Sequence, residues 1–317
     1  WADYPDVSAK TRARVKQMAI QQGYQPNPVA RRLQKGKTET IGIVITPEQN
    51  YFSDTFFIDL LSGISNQITR AGYELILGVA SDEEHEMQSM RRMVEGKRVD
   101  GMILTLIREQ DPRVGYLLDR DFPFVLYGRT RETRPYAFVD MDGKQAFEKA
   151  CTYLAGLGHR RIALLNGEPG FMFPVGCREG YESGLFLSGL ELDPDLIREW
   201  KHKDPSQSSY RWTLELFKND NPPTAILFQT EAVNGIFKGL DELDLQPGKD
   251  VALIGYDDLE IARIHRPSLS VLRPQAREAG QRVVNILLEV IKGEDPGKFQ
   301  EIHQVEMVIR ETSLPPS

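Results

Sequence analysis

Several side chains in this chain could do chemistry because each follows directly on an apolar run. Asp257 comes just after Val251–Gly255 in DVALIGYDD. An ionised carboxylate at such a point accepts hydrogen bonds from two hydroxyl donors, although Asp at a strand-to-helix turn also serves as a helix cap. Arg129, in LYGRT, follows Phe124–Tyr127, and its guanidinium can fork to hydroxyls or sit in a surface ion pair. Gln229 ends PPTAILFQ, and its amide both donates and accepts. Phe56, Phe57, Phe171 and Phe173 supply aromatic faces that suit the C–H surface of a pyranose, or plain core packing. The chemistry these groups share is reversible recognition of hydroxyls.

Bond-breaking chemistry finds no support. There is no GxGxxG after a strand, no P-loop, no GxSxG and no convincing acid/base dyad. The five histidines are scattered, without HExxH or a Cys–His grouping. Cys151 and Cys177 make neither a disulfide framework nor a zinc site, and they fit a reducing compartment. We therefore expect no catalysis, no metal and no cofactor.

The elements that must hold these residues follow from periodicity. The runs Ile41–Ile45, Glu74–Val79, Gly101–Leu104, Phe124–Tyr127 and Ala137–Val139 read as buried parallel strands. Amphipathic stretches at Ile58–Ala71, Glu86–Glu95 and Lys144–Gly156 lie between them as helices. A second series has strands at Arg161–Leu165, Thr224–Phe228 and Val251–Gly255, with helices near Gly180–Leu190, Ser209–Asn219 and Ala232–Leu243. A long helix, Ala276–Lys292, and a strand, His303–Ile309, complete the pattern. Such alternation predicts a doubly wound α/β fold, with ligand bound at strand carboxyl ends in a cleft between two lobes.

The amino-terminal segment differs from the body. Residues 1–40 carry eight Lys/Arg against three acids, whereas the other 277 residues carry 31 basic and 43 acidic side chains. A basic head on an acidic body predicts that only the head meets a polyanion. Ser8 can cap a helix whose stripe is Val15, Met18 and Ala19, running to Gly23. In QPNPVARRLQKGKTE, Asn27 can cap, Pro28 suits a first helical turn and Gly36 suits a stop. Trp1 is not an initiator Met, so the chain is expected to begin part-way through a longer protein. No apolar run is long enough to cross a bilayer, so no membrane contact and a cytoplasmic location are expected.

Over essentially its whole length the chain resembles the lactose/galactose repressor (LacI/GalR) family. The resemblance rests on VSAKTRARVKQMAIQQGYQPNPVARRLQKGKTETIGIVI (Val7–Ile45), GLGHRRIALL (Gly156–Leu165), PPTAILF (Pro222–Phe228), DVALIGYDD (Asp250–Asp258) and RPSLSVLRPQ (Arg266–Gln275). It implies a periplasmic-binding-protein-like core of two doubly wound parallel-sheet lobes, preceded by the remnant of a helix-turn-helix headpiece (1–24) and a hinge helix (25–39). The first two headpiece helices, recognition helix included, would precede Trp1. The implied lobes are 40–158 plus 274–309 and 159–273 plus 310–317. In the hinge, Leu33 would wedge into a minor-groove base step beside Val29 and Ala30, with Asn27 at the helix start. Arg31, Arg32 and Lys35 would contact phosphates. A linker whose Leu33 packs on the core is the alternative.

The same resemblance implies a homodimer on operator DNA and a mono- or oligosaccharide effector that switches operator affinity through the hinge. It matches Phe56 and Phe57 to an aromatic pair, Gln229 to a common asparagine and Asp142 in VDMDG to an acidic residue of the site; Asp142 could equally be a helix cap. The family's arginine position holds Cys177, with Arg178 adjacent, so Arg178 enters as a ligand residue only by a one-residue shift. Two rivals remain open. One is a periplasmic-type sugar-binding protein of a transport system, which would lack the basic head. The other is an enzyme on a doubly wound scaffold.

Overall fold

The computed structural model describes residues 8–22, 37–46, 55–200 and 204–315. The hinge residues Asn27, Val29, Ala30, Arg31, Arg32, Leu33 and Lys35 lie outside the described residues. Strands in chain order are β1 (Thr40–Ile45), β2 (Glu74–Val79), β3 (Gly101–Leu104), β4 (Phe124–Tyr127), β5 (Ala137–Met141), β6 (Ile162–Asn166), β7 (Ile197–Glu199), β8 (Ala225–Gln229), β9 (Ala252–Tyr256), β10 (Ser270–Arg273), β11 (Gln300–His303) and β12 (Glu306–Val308). Helices are α1 (Ala9–Gln21), α2 (Thr55–Arg70), α3 (Glu83–Glu95), α4 (Pro112–Leu118), α5 (Gly143–Gly156), α6 (Met172–Leu187), α7 (Pro205–Phe217), α8 (Val233–Glu242), α9 (Glu260–Ile264) and α10 (Ala276–Ile291).

The strands form two sheets, ordered β11-β5-β4-β3-β1-β2 and β12-β10-β9-β8-β6-β7. All pairings are parallel except β10–β12. Burial explains why the inner strands are nearly all apolar: β1, β3, β6, β8 and β9 are buried along their whole length, between helices on both faces. The edge strands β2, β7, β11 and β12 have no buried residue, only half-buried and exposed ones. Side chains alternate across each sheet. In TIGIVI, Ile41, Ile43 and Ile45 enter a core layer shared with inner-face residues of the second sheet, whereas Val44 packs with Met90, Met93 and Met102 on the outer face.

Helix α1 begins where Ser8 predicts, with the Thr11 backbone N–H donating to Ser8 Oγ at 3.3 Å. Its stripe is covered at Ala19 and exposed at Val15 and Met18.

Two expectations change. The Lys144–Gly156 helix, assigned to the first lobe, is α5, and it packs on α6 and on strands β8 and β12 of the second sheet. Gly180 permits that approach, because a Cβ there would stand 2.1 Å from the Lys144 carbonyl oxygen. The chain therefore leaves the first sheet after Met141, not after residue 158. The expected single strand His303–Ile309 is two strands: β11 pairs with β5 in the first sheet, and β12 pairs antiparallel with β10 in the second. The last crossing falls between His303 and Glu306. In the first sheet the covering helix is α10, which crosses α2 closely because Gly63 and Gly280 each face the other helix's backbone.

Candidate functional site

Residues at the carboxyl ends of strands from both sheets line one cavity of about 1020 Å³. From the first sheet come Thr105 after β3, Tyr127 and Arg129 at the end of β4, and Asp140 and Met141 of β5. From the second come Gly167 and Glu168 after β6, Trp200 after β7, Gln229 of β8, and Tyr256 and Asp257 at the end of β9. This is the location at which open α/β sheets bind ligands.

One wall is aromatic. Phe56 and Phe57 open α2, and Phe56 packs on Tyr127 with ring centroids 5.9 Å apart. Phe173 meets Tyr256 edge-on at 4.6 Å. Gly143 makes room for that ring, since a Cβ would stand 2.9 Å from it. Phe171 lies under the Arg108 guanidinium at 5.6 Å.

The polar groups are held individually. Arg129 Nε donates to Asp140 at 2.5 Å. Burial pushes the Asp140 carboxyl above the ordinary aspartate value, against the pull of Arg129. Gln229 is buried, and its Nε2 donates to Asn166 Oδ1 at 2.9 Å, which fixes the amide plane. Thr105 Oγ1 is buried and has no hydrogen-bond partner among the described residues. Asp257 has φ +80°, in the left-handed region, a strain that clusters where side chains are aimed for function. It caps no helix, because α9 starts at Glu260 behind Leu259 with no side-chain cap bond. Its neighbour Asp258 takes the structural role, paired to Arg263 at 3.0 Å, Arg310 at 2.7 Å and Arg273 at 3.5 Å.

Asp257, Gln229, Arg129, Phe56, Phe57, Phe171 and Phe173 thus meet in one cleft. Two expected members do not line it. Asp142 is the N-cap of α5, accepting from the Gln145 backbone N–H at 2.9 Å. Arg178 points to a half-exposed surface and pairs with Glu182 at 2.9 Å and Glu199 at 3.4 Å. The inward position on that turn belongs to Cys177, fully buried with its thiol pushed well up by burial. Sequence reasoning missed Asp140, which sits inside the strand AFVDM one residue past the predicted end, and Trp200, which follows a strand of only three residues.

The lobes also touch through main chain at the cleft. Glu109 N–H donates to Gly170 O and Met172 N–H donates to Ile107 O, both at 2.9 Å, so Arg108 and Phe171 form an antiparallel bridge between the two sheets' loops. A buried cluster props the first-sheet half. Arg113 Nη2 donates to the carbonyls of Thr105 at 3.1 Å and Leu106 at 2.9 Å, while its guanidinium pairs with Glu86 and Asp111 at 2.6 Å each.

Two sheets, three connections between them and a cleft at the strand ends define a periplasmic-binding-protein-like effector core, and residues 151–313 match the family model described as periplasmic binding protein-like domain. The HTH-type transcriptional regulator AglR of Rhizobium meliloti (strain 1021) is 32% identical over 98% of this chain and 88% of its own. A regulatory protein of the LacI family from Chloroflexus aggregans is 26% identical, with a TM-score of 0.78 over 87% of this chain and 99% of that one. A transcriptional regulator CelR–cellobiose complex shares the fold at 23% identity, with a TM-score of 0.79 over 97% of this chain and 92% of that one. The chain belongs to the LacI family of helix-turn-helix transcriptional regulators. It is a ligand-responsive DNA-binding regulator, which displaces the reading as a transport protein, and its curated relatives are transcriptional regulators rather than enzymes. No helix among the described residues is long and apolar enough to cross a membrane.

Proposed function

We propose that a carbohydrate occupies the cleft between the two sheets and that its binding sets the regulator's affinity for operator DNA. The observation that carries this reading is the convergence of Asp257, Asp140, Arg129 and Gln229 on a cavity walled by Phe56, Phe57, Phe171 and Phe173. Carboxylates accept from sugar hydroxyls, the Arg129 guanidinium donates to them and the Gln229 amide can do either, and the rings take the apolar faces between them. A neighbour in fold being a complex with cellobiose is consistent with this, as a property of that protein.

The switch acts through geometry. The two sheets are the two lobes, and effector bridges them, so occupancy favours one lobe arrangement by its differential affinity. The family resemblance reads residues 25–39 as a hinge helix; a helix of that length would be too short to stand alone, so its folding would follow the lobe arrangement. In a homodimer two such segments would lie side by side, as the resemblance implies, with Leu33, Val29 and Ala30 at the minor groove, Asn27 at the helix start, and Arg31, Arg32 and Lys35 on phosphates.

The test is operator binding by the intact regulator, followed by fluorescence anisotropy with and without a panel of sugars. At least one sugar is expected to change operator Kd by tenfold or more, within the usual range of coupling energies. A panel that leaves the operator Kd unmoved, while a nucleobase moves it, would overturn the carbohydrate reading.

A further inference from the structure

We infer that the cleft has a second ring subsite at Trp200, so that the effector is an oligosaccharide whose distal unit lies there. This deepens the carbohydrate reading above and rests on it.

The argument begins with strand order. Asp257 follows β9, Gln229 ends β8, Gly167 follows β6 and Trp200 follows β7, and these four strands are adjacent in the second sheet in that order. Neighbouring strands lie roughly 4.8 Å apart, so the wall from Asp257 to Trp200 runs roughly 14 Å. One hexose cannot reach from the Asp257 end to the Trp200 end, whereas two or three linked hexoses can. The cavity of about 1020 Å³ is large enough for them, at the top of the range for small-molecule sites.

The far end is built as a platform. Trp200 lines the cavity and is otherwise buried, at 8% exposure. Trp212 of α7 stacks behind it, centroids 6.1 Å apart and planes 25° from parallel, so the ring is fixed in advance of binding. A rigid aromatic surface takes a sugar ring at little entropic cost. Ser206, at the start of the helix that follows Trp200, and Asn234, beside Gly235, which packs on Ser206, line the cavity and offer hydroxyl and amide groups to the distal ring. The Asp257 end has its own aromatic pair in Phe173 and Tyr256. Two aromatic stations separated along one wall are what a chain of rings requires and what a single ring leaves half unused.

Calorimetric titration with matched mono-, di- and trisaccharides built on glucose and on galactose, in α and β linkage, tests this. In the binding series, extending the monosaccharide is expected to raise affinity at least tenfold. Trp200→Ala should erase that gain and leave monosaccharide affinity unchanged. Because Trp200 is part of the core, Asn234→Ala, at an exposed position, serves as the second variant, and it should weaken only the longer sugars. A monosaccharide that binds as tightly as its extensions, or folded variants that weaken every length equally, overturns the second subsite alone. If no saccharide of any length binds, the carbohydrate reading falls with it.

Discussion

Asp111 is buried and Asp140 half-buried, and both are paired to an arginine, yet their carboxyls are shifted in opposite directions. For each, burial is the largest influence and raises the carboxyl. At Asp111 it is overcome. Arg113 donates to both carboxylate oxygens, and its charge and that of Arg108 hold Asp111 below the ordinary value. At Asp140 a single half-exposed Arg129 competes with burial and with the nearby Asp142, and the carboxyl stays raised. The first region is a closed network whose donors and acceptors are met inside one lobe. The second leaves capacity facing a cavity. A buried charge satisfied from within supports structure; a half-buried charge with one arginine partner at a cleft wall is where a ligand's hydroxyls add most.

The sharpest way to break this comparison is Arg113→Met. It removes the cation that Glu86 and Asp111 share, leaving Glu86 with its 3.1 Å pair to Arg108, and should cost about 3–5 kcal/mol of stability by chemical denaturation. The pH dependence follows in sign. The depressed Asp111 carboxyl contributes stability that is present above its unfolded value and is lost as pH falls through the folded one. Without Arg113 that contribution is gone, so the stability gap between wild type and variant should narrow as pH falls below the ordinary aspartate value of 3.8. A gap independent of pH would show that Asp111 is not the group involved.

Asp257→Ala should act on the other region. We expect a loss of roughly 1.5–3 kcal/mol in effector binding, about tenfold to a hundredfold in Kd, because a charged acceptor is removed from a closed cleft. Stability should change little, since Asp257 caps no helix. Effector titration beside a denaturation curve separates the two quantities. Wild-type affinity in this variant would remove Asp257 from the site.

The smallest effect belongs to Arg178→Ala. Its pairs with Glu182 and Glu199 are half-exposed, so stability should shift by about 0.5 kcal/mol or less, and effector affinity should not move. A tenfold loss of affinity would restore the arginine to the site.

The alternation of strands and helices was readable because buried parallel strands are unbroken apolar runs, and Asp257, Gln229 and Arg129 were found by standing just past three of them. What escaped has physical reasons. Helix α6 starts at Met172, eight residues before its predicted start, with Phe171 at the cap position and no side-chain cap bond to announce it. Trp200 follows β7, an edge strand of half-buried IRE with no apolar signature. Arg178 was placed inward by analogy, but one residue on a helix turns a side chain by about 100°, and the buried place went to Cys177. The lobe membership of α5 depends on a glycine-mediated contact with α6, which periodicity does not encode.

The bridge between Ile107–Glu109 and Gly170–Met172 is made of peptide groups, and this decides which substitutions the contact between the lobes can absorb. Every residue except proline brings the same N–H and C=O to such a bond. Side chains around the bridge can be exchanged without touching its two bonds; the sensitive points are proline at Glu109 or Met172, the donors, and any replacement of Gly170, whose φ is +95°. Side chains along the cleft can therefore be changed one by one while this contact between the lobes, carried by the backbone, keeps its two bonds.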